Sequence, residues 1–391
     1  MEAAVKVFDH AVIGAGIVGS WTALRLSNLG KHVVLLEQFR EPHTRGSSHG
    51  QTRLIRTAYA QEFFARMMPI AFDMWRELER ESRKQLIVNT KILCLEQSSD
   101  KRNYEKCIKF MEEISPENLE VISPDEMKSR YSKTLSYKNL AGAFLDKTGG
   151  VMLAHKSLLA VQELFRQKGG TLWDSCPVSQ IIPEENKVQI KTERGDIIAR
   201  SVAICAGPWT PKLLSSQLPP SVPLQPLFVN AFYWKEKIRG AYSAESGFPT
   251  LLELSNPRIY AIPSLEYPGL MKVCYHGGVP CNDPDERDKT PVDVMPLNTA
   301  KDYIKEHMPL LEPEPAIVEK CMYTNTPDEI FVVDTLPKHR NVVIGTGFSG
   351  TGFKTAPVIG RLLSEMAVGI EPFLDITPFR LSRFDPSERQ Q

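Results

Sequence analysis

The N-terminal segment of the chain alternates short apolar runs with one longer amphipathic stretch. Residues 7–13 (VFDHAVI) and 33–36 (VVLL) are strand-sized apolar runs, and residues 17–29 between them carry apolar side chains at helical spacing. Short apolar runs bounded by glycine are typical of buried strands. The order of the runs predicts a β-α-β unit at the start of the chain.

A glycine-rich turn joins the first predicted strand to the helix. The turn spans residues 14–19 (GAGIVG), and Glu37 follows the second strand. Gly14 permits the tight turn, Gly16 allows close approach of a pyrophosphate, and Gly19 allows the helix to pack on the strand. Phosphates would bind the free amides of the helix, and Glu37 would accept hydrogen bonds from ribose hydroxyls. This order favours a dinucleotide site over a glycine-rich turn of another α/β fold.

A second glycine-rich turn follows an apolar run near the C-terminal end. Residues 342–344 (VVI) lead into 345–350 (GTGFSG), and residues 354–366 have helical spacing, with Pro357 in the predicted first turn. Proline is tolerated in a first turn. Free amides at a helix N-terminus can stabilise negative charge, such as that on a reduced flavin ring. An ordinary strand-to-helix turn is the alternative.

The middle of the chain contains another buried strand that ends in glycine, at residues 202–209 (VAICAGPW). If both ends of the chain build one nucleotide site, the sequence between them is inserted, as in flavoproteins more than in simple nicotinamide dehydrogenases. The predicted fold class is therefore α/β, with a doubly wound, Rossmann-like FAD-binding domain and an inserted substrate domain on a mixed, largely antiparallel sheet. Proline-rich residues 218–220 and 312–315 are predicted joints between structural units.

The predicted domain boundaries divide the chain into five segments. The FAD-binding domain comprises residues 1–88, 147–217 and 319–391. The substrate domain comprises residues 89–146 and 218–318.

Length and charge narrow the class of protein. A chain of 391 residues predicts two domains. Its 47 lysines and arginines balance 47 aspartates and glutamates, so no basic surface predicts binding to nucleic acid or to a membrane. The longest apolar runs are strand-sized, and the acid-containing start does not fit a secretory signal.

The seven cysteines are scattered without a CxxC pair. This distribution argues against a disulfide scaffold and favours a reducing compartment. Cys274, His276 and Cys281 lie close in sequence, but no second pair at ligand spacing follows them. We therefore predict no metal site.

Three cations stand out by their positions. If residues 269–276 form a strand, Lys272 and His276 project from the same partly apolar face. Lys354 begins a predicted helix, where an acid would be favoured, which suggests that it serves an anion. The alternative for Lys272 is an exposed lysine on a strand. Arg56 is the third cation, and its alternative to a binding role is that of a surface cation.

Four stretches of the sequence are more specific than these patterns. They are residues 42–50 (PHTRGSSHG), 267–273 (YPGLMKV), 321–329 (CMYTNTPDE) and 347–354 (GFSGTGFK). These four stretches resemble the monomeric sarcosine oxidase family, and the resemblance extends over nearly the whole chain. It is closest to the animal members of the family. The resemblance implies FAD bonded through the Cys321 sulfur to the 8α-methyl carbon of the flavin. A thiolate activated by nearby cations could form this bond, and a simply packed cysteine is the alternative.

The resemblance also implies roles for individual residues. The implied catalytic residues are Lys272, His276 and Arg53, and the implied substrate-binding residues are Arg56, Lys354, Tyr260 and Tyr323. Positive charge at Lys272 would assist electron transfer to oxygen, and His276 would orient the substrate amine. Besides Cys321, the implied cofactor-binding residues are Gly14, Ala15, Gly16, Ile17, Val18, Gly19, Glu37, Gln38, Arg45, Ser47, Ser48, Thr52, Arg53, Val178, Gly207, Trp209, Gly347, Gly350, Gly352 and Lys354.

The implied activity is oxidation of small secondary amino acids, with L-pipecolate, sarcosine and L-proline as candidate substrates. The neutral amine would pass a hydride equivalent to the flavin and become an imine, and O2 would take up the electrons as H2O2. Direct hydride transfer and an amine–flavin adduct are both open. Sarcosine would give glycine and formaldehyde, whereas L-pipecolate would give Δ1-piperideine-6-carboxylate. The expected partners are the amino acid and O2, without nucleic acid or membrane, and the expected oligomeric state is a monomer.

The sequence departs from the family at two places. Thr351 stands where many relatives carry histidine, close to Lys354, which could alter substrate preference. The resemblance implies a peroxisomal location, but the polar end at residues 385–391, which we expect to fray, has no SKL-type tripeptide. A cytoplasmic location is therefore open as well.

Three other functions stay open on the sequence alone. One is a flavin dehydrogenase that passes electrons to another protein, although Lys272 argues against it. Another is an oxidase of larger N-substituted amino acids, such as glycated ones. The third is a flavin-binding scaffold without turnover, which the candidate catalytic residues make the weakest of the three.

Overall fold

The computed structural model describes residues 5–265 and 267–385, so residues 386–391 of the predicted frayed end lie outside the described part. The strands form a sheet of eight, a sheet of nine and a sheet of three. In chain order they are β1 (Lys6–Ile13), β2 (Val33–Leu36), β3 (Thr52–Ile55), β4 (Ile87–Val88), β5 (Ile92–Glu96), β6 (Leu119–Ile122), β7 (Gly142–Asp146), β8 (Gly150–Leu153), β9 (Thr171–Trp173), β10 (Val178–Pro183), β11 (Val188–Thr192), β12 (Ile197–Ile204), β13 (Gln225–Glu236), β14 (Thr250–Glu253), β15 (Ile259–Ile262), β16 (Leu270–Tyr275), β17 (Val279–Pro280), β18 (Leu311–Asn325), β19 (Val332–Leu336) and β20 (His339–Thr346).

The described part of the chain also forms eight α-helices. The α-helices are α1 (Ile17–Asn28), α2 (Glu62–Ser82), α3 (Arg102–Ile114), α4 (Pro124–Tyr131), α5 (Ala154–Gln167), α6 (Thr210–Leu213), α7 (Val294–His307) and α8 (Gly352–Ala367). Short 3-10 helices lie at Pro116–Asn118, Gly207–Trp209, Pro284–Glu286, Thr377–Phe379 and Leu381–Phe384. Among the residues described, no helix combines the length and apolar character needed to cross a bilayer.

The eight-stranded sheet joins both ends of the chain. Its strands β2, β1, β12 and β20 are parallel neighbours. Ile13 lies opposite Leu36 on one side and Ile204 on the other, and Ile204 lies opposite Ile344. The carboxyl ends of these strands therefore meet at one edge, where ligands of open α/β sheets bind. The predicted β-α-β unit and the shared sheet of N- and C-terminal segments are both confirmed.

Helices α1 and α8 lie side by side on this sheet. A Cβ atom added at Gly360 of α8 would lie only 2.7 Å from the Cβ of Trp21 on α1. Trp21 also contacts the ring of Trp75 edge-on at 5.3 Å. This close packing holds together the two helices that follow the two glycine-rich turns.

The nine-stranded sheet runs in the order β17-β13-β16-β15-β14-β5-β7-β6, with β18 beside β13. Its neighbours are antiparallel except for β14 and β5. The predicted fold class, with its mixed and largely antiparallel second sheet, is confirmed. Tyr260 lies opposite Leu252 and Cys274, and Lys272 lies opposite Ile262. Because directly paired residues and alternate residues of a strand share a face, these side chains lie on the same side of the sheet.

The predicted joint at residues 312–315 is wrong, because these residues lie inside β18. In the described part of the structure β18 pairs only with β13, and its register shifts where Pro315 lies opposite Trp234. Proline is accepted on edge strands and at bulges, since its missing N–H is not needed there. Residues 218–220, in contrast, lie in the loop between α6 and β13, where the chain passes from the first sheet to the second.

The helix predicted after the second glycine-rich turn is confirmed, but it begins earlier than expected. Gly350 adopts a φ of 81° and turns the chain, so that α8 starts at Gly352. Pro357 is therefore inside the helix and not in its first turn. It removes the hydrogen bond that residue 357 would donate to the carbonyl four residues earlier.

The five predicted domain segments stay a proposal. Strands of the first sheet lie within 1–88, 147–217 and 319–391, and strands of the second lie within 89–146 and 218–318. Strand β18 crosses position 318, because it begins in the second sheet and continues to Asn325. This single strand carries Cys321 to the border between the sheets.

Candidate active site

The turn after β1 has room only for glycine at two positions. Gly14 has a φ of 98°, and a Cβ there would lie 2.4 Å from the Cys205 carbonyl oxygen. A Cβ at Gly19 would lie 1.9 Å from the carbonyl oxygen of Gly14. At the start of α1 the Ile17 amide donates to Ser48 Oγ at 3.0 Å. The N-terminus of α1 therefore lies beside a polar side chain, and helix N-termini are sites where phosphates bind.

Glu37 is a buried carboxylate beside this turn, with only 6% of its surface exposed. Its Oε2 accepts a hydrogen bond from the Ala15 amide at 3.0 Å, and its Oε1 accepts one from the Phe39 amide at 3.1 Å. His43 Nε2 lies 3.6 Å from Glu37 Oε1. Burial lowers the pKa of His43, but the hydrogen bond to Glu37 and the charges of Glu37 and Glu41 together raise the pKa overall. The backbone thus fixes Glu37 at the edge of the sheet where a ribose would lie.

A cavity of about 880 Å³ runs from this turn to the second sheet. Most of the predicted site residues line it, namely Gly14, Ala15, Gly16, Ile17, Val18, Glu37, Gln38, Ser47, Ser48, Thr52, Arg53, Arg56, Val178, Gly207, Trp209, Tyr260, Lys272, His276, Cys321, Tyr323, Gly350, Gly352 and Lys354. The volume and the crowded glycine turn fit an extended dinucleotide with room for a small second ligand.

Three predicted site residues lie beside the cavity and not in its wall. Gly19 packs α1 against the turn, as described above. Arg45 forms an ion pair with Asp288 and stacks on Phe39. Gly347 has a φ of 68°, and a Cβ there would lie 2.7 Å from Thr326 Cγ2. In the described structure these three residues make packing or ion-pair contacts and do not line the cavity.

Cys321 differs from the other cysteines in its exposure. It is half-buried, whereas the other six cysteines, all within the described residues, are buried. On β18 it lies opposite Val229, and it lines the cavity. Cys274 and Cys281 lie in separate apolar clusters, the first with Tyr233 and the second with Met322.

Arg53 is a half-buried cation near Cys321. Its guanidinium donates to the carbonyl oxygens of Thr52 at 2.6 Å, Ser47 at 2.8 Å and His49 at 2.5 Å. Burial lowers the pKa of Arg53, but the ionisable Cys321 thiol, with nearby tyrosines, raises it overall. Carbonyl groups hold the guanidinium without neutralising it, so its charge remains available to the cavity.

Arg56 and Lys354, together called the carboxylate clamp, form a second group of cations. The Arg56 guanidinium lies 3.9 Å from the ring centroid of Tyr59, and its buried Nε has no hydrogen-bond partner among the described residues. Lys354 is 8% exposed, and its Nζ donates to the Gly350 carbonyl at 3.2 Å. Burial, with the charges of Arg56 and Arg53, lowers the pKa of Lys354 to about 7. A bound anion would relieve this repulsion.

Lys272 and His276 enter the cavity from the second sheet, as their predicted strand requires. Lys272 is 5% exposed, and its Nζ lies 5.4 Å from the ring centroid of Tyr233. The His276 ring lies 5.4 Å from that of Tyr323. Burial, and then the charge of Arg258, lowers the pKa of His276 to about 4. The imidazole is therefore neutral at pH 7 and can share a hydrogen bond with an amine.

Apolar side chains form the wall of the cavity next to Tyr260. Leu252 lies opposite Tyr260, and the cavity wall continues through Leu54 and Leu254. Cys107 of α3 closes this side. Burial raises the pKa of Tyr260 well above its ordinary value, so its hydroxyl stays neutral. The cavity thus has a cationic end and an apolar wall, which suits an amino acid with an apolar substituent.

Besides the leucines and Cys107, the cavity wall contains Tyr59, Arg258 and Glu329, which the sequence did not predict. Both clamp cations lie over the ring of Tyr59, with the Arg56 guanidinium 3.9 Å and Lys354 Nζ 6.0 Å from the ring centroid. Arg258 and Glu329 form an ion pair in the wall. Glu329 lies within the CMYTNTPDE stretch, but no sequence pattern connects it to an arginine 71 positions away.

The chain matches known proteins over almost its full length. The family described as DAO, FAD dependent oxidoreductase, matches residues 9–366. The peroxisomal sarcosine oxidase of Mus musculus is 44% identical over 388 residues, which cover 98% of both chains. The monomeric sarcosine oxidase of Arthrobacter sp. (strain TE1826) is 32% identical over 386 residues, 97% of each. The structure of NikD, described as an unusual amino acid oxidase, has a TM-score of 0.82 at 20% identity and covers 96% of this chain and 98% of its own, which shows a common fold.

Proposed function

The chain belongs to the FAD dependent oxidoreductase family, among its sarcosine oxidases, and we propose that it oxidises small secondary amino acids with O2 as electron acceptor. As an FAD-dependent oxidase it acts on the CH–NH group of its donor. The proposed substrates are L-pipecolate, sarcosine and L-proline, and the proposed products are the imine and H2O2. Sarcosine would then give glycine and formaldehyde, and L-pipecolate would give Δ1-piperideine-6-carboxylate.

The residues at the edge of the first sheet fit FAD. The crowded turn at Gly14 and the N-terminus of α1, where the Ile17 amide donates to the Ser48 hydroxyl, suit the pyrophosphate, and Glu37 suits a ribose. When bound, FAD supplies a flavin ring that takes up two electrons from the substrate and passes them on. The protein's own contribution is to bind, orient and supply charge.

One observation carries the proposed substrate class, namely the pair of clamp cations in the cavity, half-buried Arg56 and buried Lys354. Among the described residues, Arg56 and Lys354 bond to the carbonyl oxygens of Ala58 and Gly350, and not to carboxylates. Arginine offers a planar two-pronged donor and lysine a compact charge, which together suit a carboxylate. Neutral His276 would orient the amine of the same molecule.

The apolar wall supports a ring-bearing substrate. Leu252 lies opposite Tyr260, and it packs with Leu254 and Cys107 in an apolar cluster that lines the cavity. The extra methylenes of L-pipecolate would contact this wall, and each methylene contributes about 0.8 kcal/mol when buried. L-Pipecolate is therefore the proposed preferred substrate.

Two further proposals concern the flavin. Cys321 would hold it covalently, since its sulfur is half-exposed to the cavity close to the cation of Arg53. Lys272 would promote electron transfer to O2, because a buried ammonium favours the negative charge that forms on oxygen. If the cavity had no such cation, a flavin dehydrogenase would be a better candidate for the function than an oxidase.

The proposed partners are a small secondary amino acid and O2, and the proposed state is a monomer. The names of two relatives place them in the peroxisome, and we extend that location to this chain as a proposal. The residues that could carry a targeting tripeptide lie outside the described part of the chain.

The deciding experiment compares two readouts on purified holoenzyme. L-Pipecolate, sarcosine, L-proline and a glycated amino acid are each mixed with the enzyme without O2, and flavin reduction is recorded. The same mixtures in air are assayed for H2O2. Reduction with one H2O2 per substrate supports the oxidase, and reduction without H2O2 indicates a dehydrogenase. No reduction by any of the four substrates would favour the scaffold function.

A further inference from the structure

Arg258 and Glu329 form a two-pronged ion pair in the cavity wall. Arg258 Nη1 donates to Glu329 Oε2 at 2.6 Å, and Nη2 donates to Oε1 at 2.7 Å. Arg258 immediately precedes β15 of the second sheet, whereas Glu329 lies between β18 and β19, where the chain returns to the first sheet. The pair therefore connects two sheets that each supply part of the candidate active site.

The arginine end of the pair is bonded to His276. The His276 amide donates to the Arg258 carbonyl oxygen at 2.8 Å, next to the paired residues Ile259 and Tyr275. A displacement of Arg258 would therefore move the backbone of His276 with it.

The glutamate end of the pair is bonded to the segment that holds the clamp lysine. The Glu329 amide donates to the Thr326 carbonyl at 3.1 Å, and the Thr326 amide donates to Ser349 Oγ at 3.2 Å. The next residue is Gly350, whose carbonyl accepts the hydrogen bond of the clamp lysine. A Cβ at Gly350 would lie 2.5 Å from His276 Cε1, so the imidazole rests directly on this backbone.

We propose that the Arg258–Glu329 pair positions His276 relative to the carboxylate clamp, and so sets the placement of the substrate amine. The inference rests on the proposed function, because it concerns the same substrate. The side chains of the pair are 42% and 41% exposed, and exposed ion pairs usually contribute little to folding stability. The position of His276 should affect the rate strongly, since a small displacement of a reacting group can slow catalysis about 100-fold.

The pair also balances the charge near His276. The charged or ionisable groups that face the imidazole are Arg258, Glu329, Lys354, Arg56 and Tyr323. Burial and the three cations lower the pKa of His276, and Glu329 raises it. Loss of Arg258 alone would therefore raise this pKa, and loss of Glu329 alone would lower it further.

The test uses holoenzyme with Arg258→Met, Glu329→Gln, the double substitution, and Arg258→Lys. Flavin reduction by L-pipecolate is measured without O2 from pH 5 to 9, together with substrate Kd, flavin content and thermal transition. We expect the first three variants to reduce about 10- to 100-fold more slowly, with little change in Kd or thermal transition. Only Arg258→Met should show a new loss of rate toward acid, because removal of this cation raises the pKa of His276, which burial still holds below its ordinary value. Arg258→Lys should recover part of the rate.

Wild-type reduction rates in all the variants would overturn the positioning role. So would rate losses that follow losses of flavin content and thermal transition, including in Arg258→Lys, because the pair would then be structural. Absence of reduction in the wild type itself would overturn the proposed function, and this inference with it. That outcome is visible before any variant is made.

Discussion

The Lys354 ammonium donates its hydrogen bond to the Gly350 carbonyl at 3.2 Å, so the buried cation at the start of α8 has a neutral partner. An acid at this position would neutralise the lysine permanently. The observed arrangement instead leaves a charge that a ligand can neutralise, and it links the titration of the lysine to ligand binding.

The first prediction is a pH dependence of carboxylate binding. The pKa of Lys354 is lowered to about 7, so the lysine is charged below pH 7 and increasingly neutral above it. The affinity of a carboxylate without an amine, such as cyclopentanecarboxylate, should therefore fall about tenfold per pH unit above 7. Titration of the flavin spectrum measures this affinity. The Lys354→Met variant should bind the carboxylate weakly at every pH. If its affinity for the carboxylate still fell with pH, another group would be responsible for the titration.

The second prediction concerns flavin attachment. Cys321→Ser should release all flavin into the supernatant on acid precipitation, whereas the wild type should keep it in the pellet. Cys281→Ser is the matched control, because Cys281 is buried against Trp209 and Met322. Colour released from the wild type, or retained by Cys321→Ser, would contradict attachment at this sulfur.

The third prediction separates the two half-reactions. Lys272→Met should slow reoxidation of the reduced flavin by O2 about 100- to 1,000-fold, the usual effect of removing one preorganised charge. Reduction by substrate should change far less, because the clamp residues are intact. Stopped-flow absorbance follows each step, and Lys272→Arg keeps the charge as a control. Equal slowing of both steps would argue against a role in oxygen chemistry.

The fourth prediction concerns substrate size. Leu252→Gln places an amide in the apolar wall and should lower kcat/KM for L-pipecolate about tenfold or more, within the range expected for methylene contacts. The value for sarcosine should remain close to that of the wild type, and Leu252→Met should preserve both. A parallel loss for both substrates would place Leu252 outside the proposed ring site.

The fifth prediction concerns the nucleotide turn. Gly19→Ala adds a Cβ that would lie 1.9 Å from the Gly14 carbonyl oxygen, and overpacking of this kind typically costs about 1–3 kcal/mol. The thermal transition and FAD content should both fall. Gly46→Ala is the control, because its Cβ would meet only Trp209, at 3.9 Å. Normal FAD content in Gly19→Ala would mean that the turn can relax.

Local patterns predicted the first sheet well and the joints between units poorly. The β-α-β unit follows from apolar runs and glycine spacing within about 30 neighbouring residues. The joint expected at residues 312–315 is a strand instead, because the pairing of β18 with β13 tolerates proline at an edge. Local composition does not reveal such a partner.

By itself, the sequence determined the glycine turns, the two helices that follow them and the stretches that mark the family. These features depend on backbone sterics and on residue order, which act over short distances. Tertiary structure decided that Cys321 is the half-buried cysteine of the cavity wall and which cations lack an acid among the described residues. It also decided that Arg258 meets Glu329, 71 positions away. Burial, exposure and charge pairing depend on neighbours that only the folded chain brings together.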